Sequence, residues 1–266
     1  MAADGGRKVK NRQALEMSLS EIKHVYEKYE EIEEIGKGPF AVVFKGKYKE
    51  NGEWRAMKKL SYNPEREESD SVYREITTLR RLKPHAHKNI VLFLDAFRGG
   101  PDHVYLVTEL CDMDLSQYWK DKRHHVPLKS LDIAEQCVTG LNFLHNILEP
   151  PLIHRDIKPQ NFIVRLGGDD DVVIKLTDFG LSSNGGVWEK LDKETTKDGK
   201  IRYILRGCRP LLAPECVAAK EGIGLKEDSF RFDASVDIFA LGLVFAYIFC
   251  YNRGNYYGQL LTPKIP

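Results

Sequence analysis

Ile153-His154-Arg155-Asp156-Ile157-Lys158-Pro159-Gln160-Asn161-Phe162-Ile163-Val164, followed by Leu176-Thr177-Asp178-Phe179-Gly180, is the stretch on which the fold of this chain turns. Immediately before it, Ile133, Cys137, Leu141 and Leu144 recur at helical spacing, which predicts a helix over 131–148 that Pro150-Pro151 ends. Between its two parts, Asp169-Asp170-Asp171 reads as a short acidic turn. After it, residues 182–202 read as a long polar loop, a length that in a compact chain is usually functional.

Further toward the N-terminus the pattern is mainly strand. Residues 29–60 hold short β-branched and aromatic runs with an Asn51-Gly52 pair suited to a tight hairpin turn. The runs 90–97 and 104–110 predict two more strands around the turn cluster Gly99-Gly100-Pro101. Ser69 or Asp70 caps a helix to about Lys83, with Val72, Ile76, Leu79 and Leu82 on one stripe and Pro84 as its stop. The chain changes from mainly strand to mainly helix near Cys111. Residues 1–28 form an N-terminal extension with weak helical periodicity through Leu15, Leu19, Ile22 and Val25.

Composition narrows the function classes. Lys and Arg total 40 against 39 Asp and Glu, a net charge of +1, so no global field draws the chain to nucleic acid or an anionic membrane. The 5 cysteines are irregularly spaced and fit reduced thiols in an intracellular protein better than a disulfide framework. The start of the chain lacks an apolar signal stretch, and the apolar run 238–251 has the length of a buried helix, not of a membrane span.

Two local features carry chemistry. Gly36-Lys37-Gly38-Pro39-Phe40-Ala41-Val42-Val43 lies between two strands, where glycines let backbone amides approach phosphate oxygens; taken alone it reads equally as a plain hairpin turn. In Trp54-Arg55-Ala56-Met57-Lys58-Lys59-Leu60, alternation places Lys58 on the face of Trp54, Ala56 and Leu60, with Lys59 opposite. An ammonium on an apolar face needs an anion. Glu75, on the apolar stripe of the next helix, supplies one.

With these in order, the HRDIKPQN and DFG stretches resemble the protein kinase superfamily, of the serine/threonine-like kind, over roughly residues 29–250. Ala213-Pro214-Glu215 resembles the close of a kinase activation segment, and Asp237 the aspartate opening the large buried helix. The resemblance implies an α+β bilobal fold: a small antiparallel β-sheet N-lobe with one key helix over 29–110, and a mainly helical, incomplete C-lobe over 111–266. It implies an enzyme using ATP and Mg2+ to phosphorylate a protein serine or threonine, in the cytoplasm or the nucleus. The other reading is a kinase-like scaffold that binds ATP or a partner without transferring phosphate.

Roles follow residue by residue from the same resemblance. Asp156 is the catalytic base, and Lys158 reaches the transferring phosphate. Lys58 holds the α- and β-phosphates and is held by Glu75, while Asn161 and Asp178 offer oxygen ligands to magnesium. Ile35, Gly36, Lys37, Gly38, Val43, Ala56 and Ile163 line the nucleotide site, with Glu109, Leu110 and Cys111 at the hinge and Thr108 behind the adenine. Arg155 suggests a phosphate on Thr195 or Thr196, with Ser182, Ser183 and Tyr203 as lesser candidates; unmodified loop hydroxyls are the other reading. Three departures stand out. Ala41 occupies a common glycine position, 207–212 lacks the usual residues before Ala213, and the later helices of the lobe, with the arginine that pairs Glu215, do not follow by Pro266.

Overall fold

Alternating and helical apolar patterns sort the chain into elements that the computed structural model describes over residues 25–38, 41–62, 69–121, 127–167, 171–184, 189–190, 193–195, 201–203, 211–221 and 231–250. Leu15, Leu19, Ile22, Pro39, Phe40, Asp169, Asp170, Thr196 and the stretch 207–210 lie outside these. The described residues form two compact units. Those within Met1–His87 and Val91–Cys111 make the first, and those within Lys88–Ile90 and Asp112–Pro266 the second.

The first unit runs α1 (Val25–Lys28), β1 (Tyr29–Lys37), β2 (Ala41–Tyr48), β3 (Trp54–Ser61), α2 (Ser69–Leu82), β4 (Phe93–Arg98) and β5 (His103–Glu109). The strands form one antiparallel sheet in the order β1-β2-β3-β5-β4. β2 and β3 are joined by a longer loop than the tight turn expected: the Tyr48 amide donates to the Glu53 carbonyl at 2.8 Å, and the Glu53 amide donates to Asn51 Oδ1 at 3.1 Å. Gly52 sits there at φ 72°, where a Cβ would be strained. The apolar stripe of α2 is buried as its spacing predicts, and Pro84 falls in a short 3-10 turn, Lys83–His85.

Alternation alone predicts one covered face for β3, but both are covered. Met57, its most buried residue, lies opposite to Lys58 and joins Tyr29, Phe97, Tyr105 and Val107 in a second core lined by Val25, Ile32, Phe44, Tyr48 and Leu94. The covering residues come from α1 and the start of β1. Lys28 fastens them, reaching Asp95 at 2.7 Å and lying 5.1 Å over the Phe97 ring.

The second unit runs β6 (Met113–Asp114), α3 (Leu115–Lys120), α4 (Pro127–Asn142), β7 (Leu152–Ile153), β8 (Phe162–Leu166), β9 (Val172–Leu176), β10 (Ser183–Asn184), β11 (Glu189–Lys190), β12 (Lys193–Thr195), β13 (Ile201–Tyr203), α5 (Pro214–Glu221), β14 (Arg231–Phe232) and α6 (Ser235–Cys250). Asp114 opens α3 with a capping box: it accepts from the Gln117 amide at 2.9 Å while its own amide donates to Gln117 Oε1 at 3.2 Å. Ile133, Cys137 and Leu141 of α4 are buried, and the helix closes through a wider π turn, Phe143–Ile147, that also buries Leu144. α6 buries Val236, Ala240, Leu241, Val244 and Ile248, whereas Ile238, Phe239 and Phe249 are exposed.

Two expectations need correction, the strand over 90–97 and the loop over 182–202. The strand predicted over 90–97 begins only at Phe93, because Ile90 instead bridges to Leu176 in the second unit. The half after Cys111 is mainly helical as expected and also carries a small antiparallel sheet in the order β6-β8-β9. The polar stretch 182–202 contains short paired strands: β10 with β7, β11 with β14, and β12 with β13. Among the described residues no helix is long and apolar enough to cross a membrane. The architecture is α+β, a sheet with one long helix in the first unit and helices with small sheets in the second.

Gly140 of α4 shows how tightly the second unit is packed. A Cβ there would meet the Asn89 carbonyl oxygen at 2.8 Å, and that oxygen is held by the Leu176 amide. Glycine-to-alanine in a helix normally stabilises by about 1 kcal/mol. Here the clash with fixed backbone outweighs the gain, and Gly140→Ala is expected to destabilise by about 1–2 kcal/mol, read from urea denaturation.

Candidate active site

The residues expected to form the site fall into two groups, one in each unit. In the first, pairing of β2 with β3 sets Val43 opposite Lys58 and Lys45 opposite Ala56, and pairing of β3 with β5 sets Ala56 opposite Thr108 and Lys58 opposite Leu106. Val43, Ala56, Lys58 and Thr108 therefore share one face of the sheet. Lys58 Nζ meets both oxygens of Glu75, at 2.7 and 3.0 Å. The Glu75 side chain is only 6% exposed, so the pair is largely desolvated and its close bidentate geometry offsets that cost.

The end of β1 is open. Ile35, Lys37 and Gly38 are exposed and Gly36 half-buried, and the Gly38 amide donates to the Ala41 carbonyl at 2.8 Å to close the loop. Glu109 uses its side chain in the fold: its carboxylate accepts from the Leu92 amide at 2.7 Å while its own amide donates to the Leu92 carbonyl at 3.1 Å. Cys111 is half-buried.

In the second unit Asp156, Lys158 and Asn161 converge. Lys158 Nζ lies 2.6 Å from Asp156 Oδ2, and Asn161 Nδ2 donates to the same oxygen at 2.9 Å and to the Asp156 carbonyl at 2.7 Å. Asn161 closes a short 3-10 turn that begins at Pro159, so the proline brings the amide back over the aspartate. Ile163, two residues on, is half-buried on β8 and pairs with Asp114 and Lys175.

Asp178 follows β9 through Thr177, whose amide donates to the Asn161 carbonyl at 2.9 Å. His154 ties the same two segments: its Nε2 donates to the Thr177 carbonyl at 2.9 Å and its Nδ1 accepts from the Asp156 amide at 3.2 Å. A ring that donates at one nitrogen and accepts at the other is neutral. Phe179 is buried edge-on against it, 5.1 Å between centroids. Arg155 and Asp178 both hold φ near 66°, a left-handed conformation costing about 1–3 kcal/mol in a non-glycine residue and common where function over-determines the backbone.

Asp237 holds the Arg155 conformation. It is 1% exposed and accepts from the amides of His154 and Arg155, each at 2.7 Å, and from His145 Nε2 at 2.9 Å. Sequence reasoning marked Asp237 as the start of a buried helix but missed that it anchors the loop, and it missed His145 altogether. A polar residue at the start of an apolar helix was the available signal.

Among the phosphorylation candidates, Ser182 is fully buried and donates to the Phe179 carbonyl at 2.7 Å, which removes it from any modifying enzyme's reach. Arg155 Nε donates to the Leu181 carbonyl at 2.7 Å, at the start of the same segment. Glu215 is half-buried, so the full cost predicted for an unpaired buried carboxylate is not incurred. Burial, with the Glu215 charge adding, pushes the neighbouring Cys216 thiol up to about 11.

The sequence pattern described as "Protein kinase domain" matches residues 29–256. The interferon-induced, double-stranded RNA-activated protein kinase of Mus musculus is 32% identical over 237 residues, which are 82% of this chain and 39% of that protein. The protein of the same name from Rattus norvegicus is 31% identical over 240 residues, 82% of this chain and 40% of the relative. The chain thus spans about two-fifths of the length of these relatives. It belongs to the eukaryotic protein kinase superfamily.

Proposed function

We propose that this chain is an ATP-dependent protein kinase that transfers the γ-phosphate to a serine or threonine hydroxyl of a protein substrate inside the cell. The observation that carries the reading is the meeting of Asp156, Lys158 and Asn161 on one anchored loop. Asp156 is buried to 7% exposure yet keeps a carboxylate oxygen between two donors, which orients it as an acceptor for an alcohol proton. Lys158, whose Nζ lies 2.6 Å from Asp156, would offset the charge developing on the transferring phosphate. In the first unit Lys58, held by Glu75, takes the α- and β-phosphate oxygens, and Gly36 and Gly38, with no side chains, let the phosphates approach the backbone at the end of β1. In the same unit Ile35, Val43 and Ala56 offer the base apolar surface and Glu109 and Cys111 offer it backbone groups; in the second unit Ile163 is the residue assigned to the base.

The donor set suits Mg2+. Asn161 spends its NH2 on Asp156, which leaves Oδ1 to serve as an oxygen ligand; the Asp178 carboxylate, one residue after the Thr177 amide that donates to the Asn161 carbonyl, is the second. Among the described residues no group of three or more His, Cys, Asp or Glu side chains is gathered to hold a metal. Two oxygen ligands with phosphate and water completing the shell is the arrangement magnesium favours. Bound there, the cation would neutralise phosphate charge; the protein's part is to hold Asn161 and Asp178 in register. Among the described residues Cys111, Cys137 and Cys216 form no disulfide, in keeping with a reducing compartment.

The test is transfer of label from γ-32P-ATP with magnesium to a generic protein substrate, followed by acid hydrolysis. Labelled phosphoserine or phosphothreonine is expected. Absence of transfer with retained nucleotide binding favours the scaffold reading, and label on tyrosine alone overturns the acceptor assignment.

A further inference from the structure

Among the described residues β9 has β8 on one edge and no strand on the other, yet that second edge is paired along its length. Gln136 of α4 supplies much of the pairing. Its Nε2 donates to the Val172 carbonyl at 2.9 Å and its Oε1 accepts from the Ile174 amide at 2.9 Å, so one side-chain amide does what a neighbouring strand's peptide would do. Oε1 also accepts from Asn89 Nδ2 at 3.0 Å, and that NH2 reaches the Ile174 carbonyl at 2.9 Å. The Asn89 carbonyl then takes the Leu176 amide at 2.9 Å, and Ile90 bridges to Leu176 beside it. Gln136 thus begins a continuous ladder from Val172 to Leu176.

The ladder ends at Leu176, two residues before Asp178. Thr177 is clamped by the Asn161 carbonyl on its amide and His154 Nε2 on its carbonyl. A strand is a stiff lever, and a slip of one residue turns its side chains to the opposite face. We propose that Gln136 is a positioning residue which, through the register of β9, sets the carboxylate of Asp178 against Asn161 for a divalent cation. It touches neither residue. The proposal rests on the reading of Asn161 and Asp178 as the metal ligands.

Gln136→Glu keeps the Oε1 acceptor but sets an anion against the Val172 carbonyl; Gln136→Met removes all three bonds, two to β9 and one to Asn89, at similar volume. Two readouts on the whole chain decide. Amide hydrogen exchange without nucleotide is expected to quicken at Ile174 and Leu176 and not in α6. Mn2+ binding to the ADP-loaded protein, followed by electron paramagnetic resonance, is expected to weaken about tenfold in Gln136→Met and less in Gln136→Glu, the scale seen when residues supporting metal ligands are removed. Metal-free ADP affinity is expected to stay within about twofold of wild type, a split that general loosening of the fold would not produce. If Gln136→Met does not fold, Gln136→Glu alone carries the comparison. Wild type and variants binding Mn2+ equally would reduce Gln136 to a packing role. Wild type binding no Mn2+ would instead remove the metal assignment itself, and the proposal with it.

Discussion

Replacing Asp156 with asparagine is expected to lower kcat for protein phosphorylation by about 10²–10⁴-fold, the span a positioned general base contributes, with little change in KM for ATP. The substitution is close to isosteric. An asparagine Oδ1 in the place of Asp156 Oδ2 can still accept from Lys158 Nζ and Asn161 Nδ2, now at 2.6 and 2.9 Å, so the loop keeps its geometry while the group loses its basicity. Melting temperature is therefore expected to stay close to wild type. Asp156→Ala is the harsher control, because Asn161 Nδ2 keeps only the main-chain carbonyl and Lys158 turns to solvent. A steady-state rate for Asp156→Asn within tenfold of wild type would remove Asp156 from the chemistry and leave it a brace for Asn161.

Much of the fold can be read directly from spacing. The α2 stripe announces both the helix and the placement of Glu75 on its buried side, and alternation in β3 singles out Lys58, so the 2.7 Å pair between them is legible as two charges that need each other. Alternation could not reveal that Met57 faces a second core, since the residues covering it belong to Val25–Lys28, the end of the stretch read as an N-terminal extension, and to Tyr29, the first residue of the strand region. β8 and β9 were passed over because each is only five residues long and is flanked by the more conspicuous charged motif. Gln136 left no trace in the pattern of α4: a polar residue beside Cys137 reads as solvent-facing, and only tertiary structure shows its amide standing in for a strand. Within the second group of site residues, the order Asp156, Lys158, Asn161 was legible, but the partners that fix the loop, Asp237 and His145, come from distant helical segments.

Those partners lead to the largest expected effect on stability. Asp237→Ala leaves the amides of His154 and Arg155 and the ring of His145 without their shared acceptor in a site 1% exposed. Each stranded buried donor costs about 1–3 kcal/mol, and removing a buried charged partner as a whole costs on the order of 3–5 kcal/mol. For a chain of this size that is a fall of roughly 10 °C in melting temperature. Asp237→Asn should do less harm. Its one oxygen can serve the His154 amide and His145, while its NH2 faces the Arg155 amide, donor against donor. The consequence for activity follows from the backbone: Arg155 holds φ 66° with Asp237 on its amide, and Asp156 is the next residue. Once that amide is released, Arg155 relaxes toward ordinary conformations and swings the Asp156 carboxylate off Lys158. Both variants are therefore expected to lose kcat even when assayed far below their melting temperatures, with Asp237→Asn separating the two effects because it stays better folded. Full kcat in a destabilised Asp237→Ala would mean that the loop holds its shape through His154 and Thr177 alone.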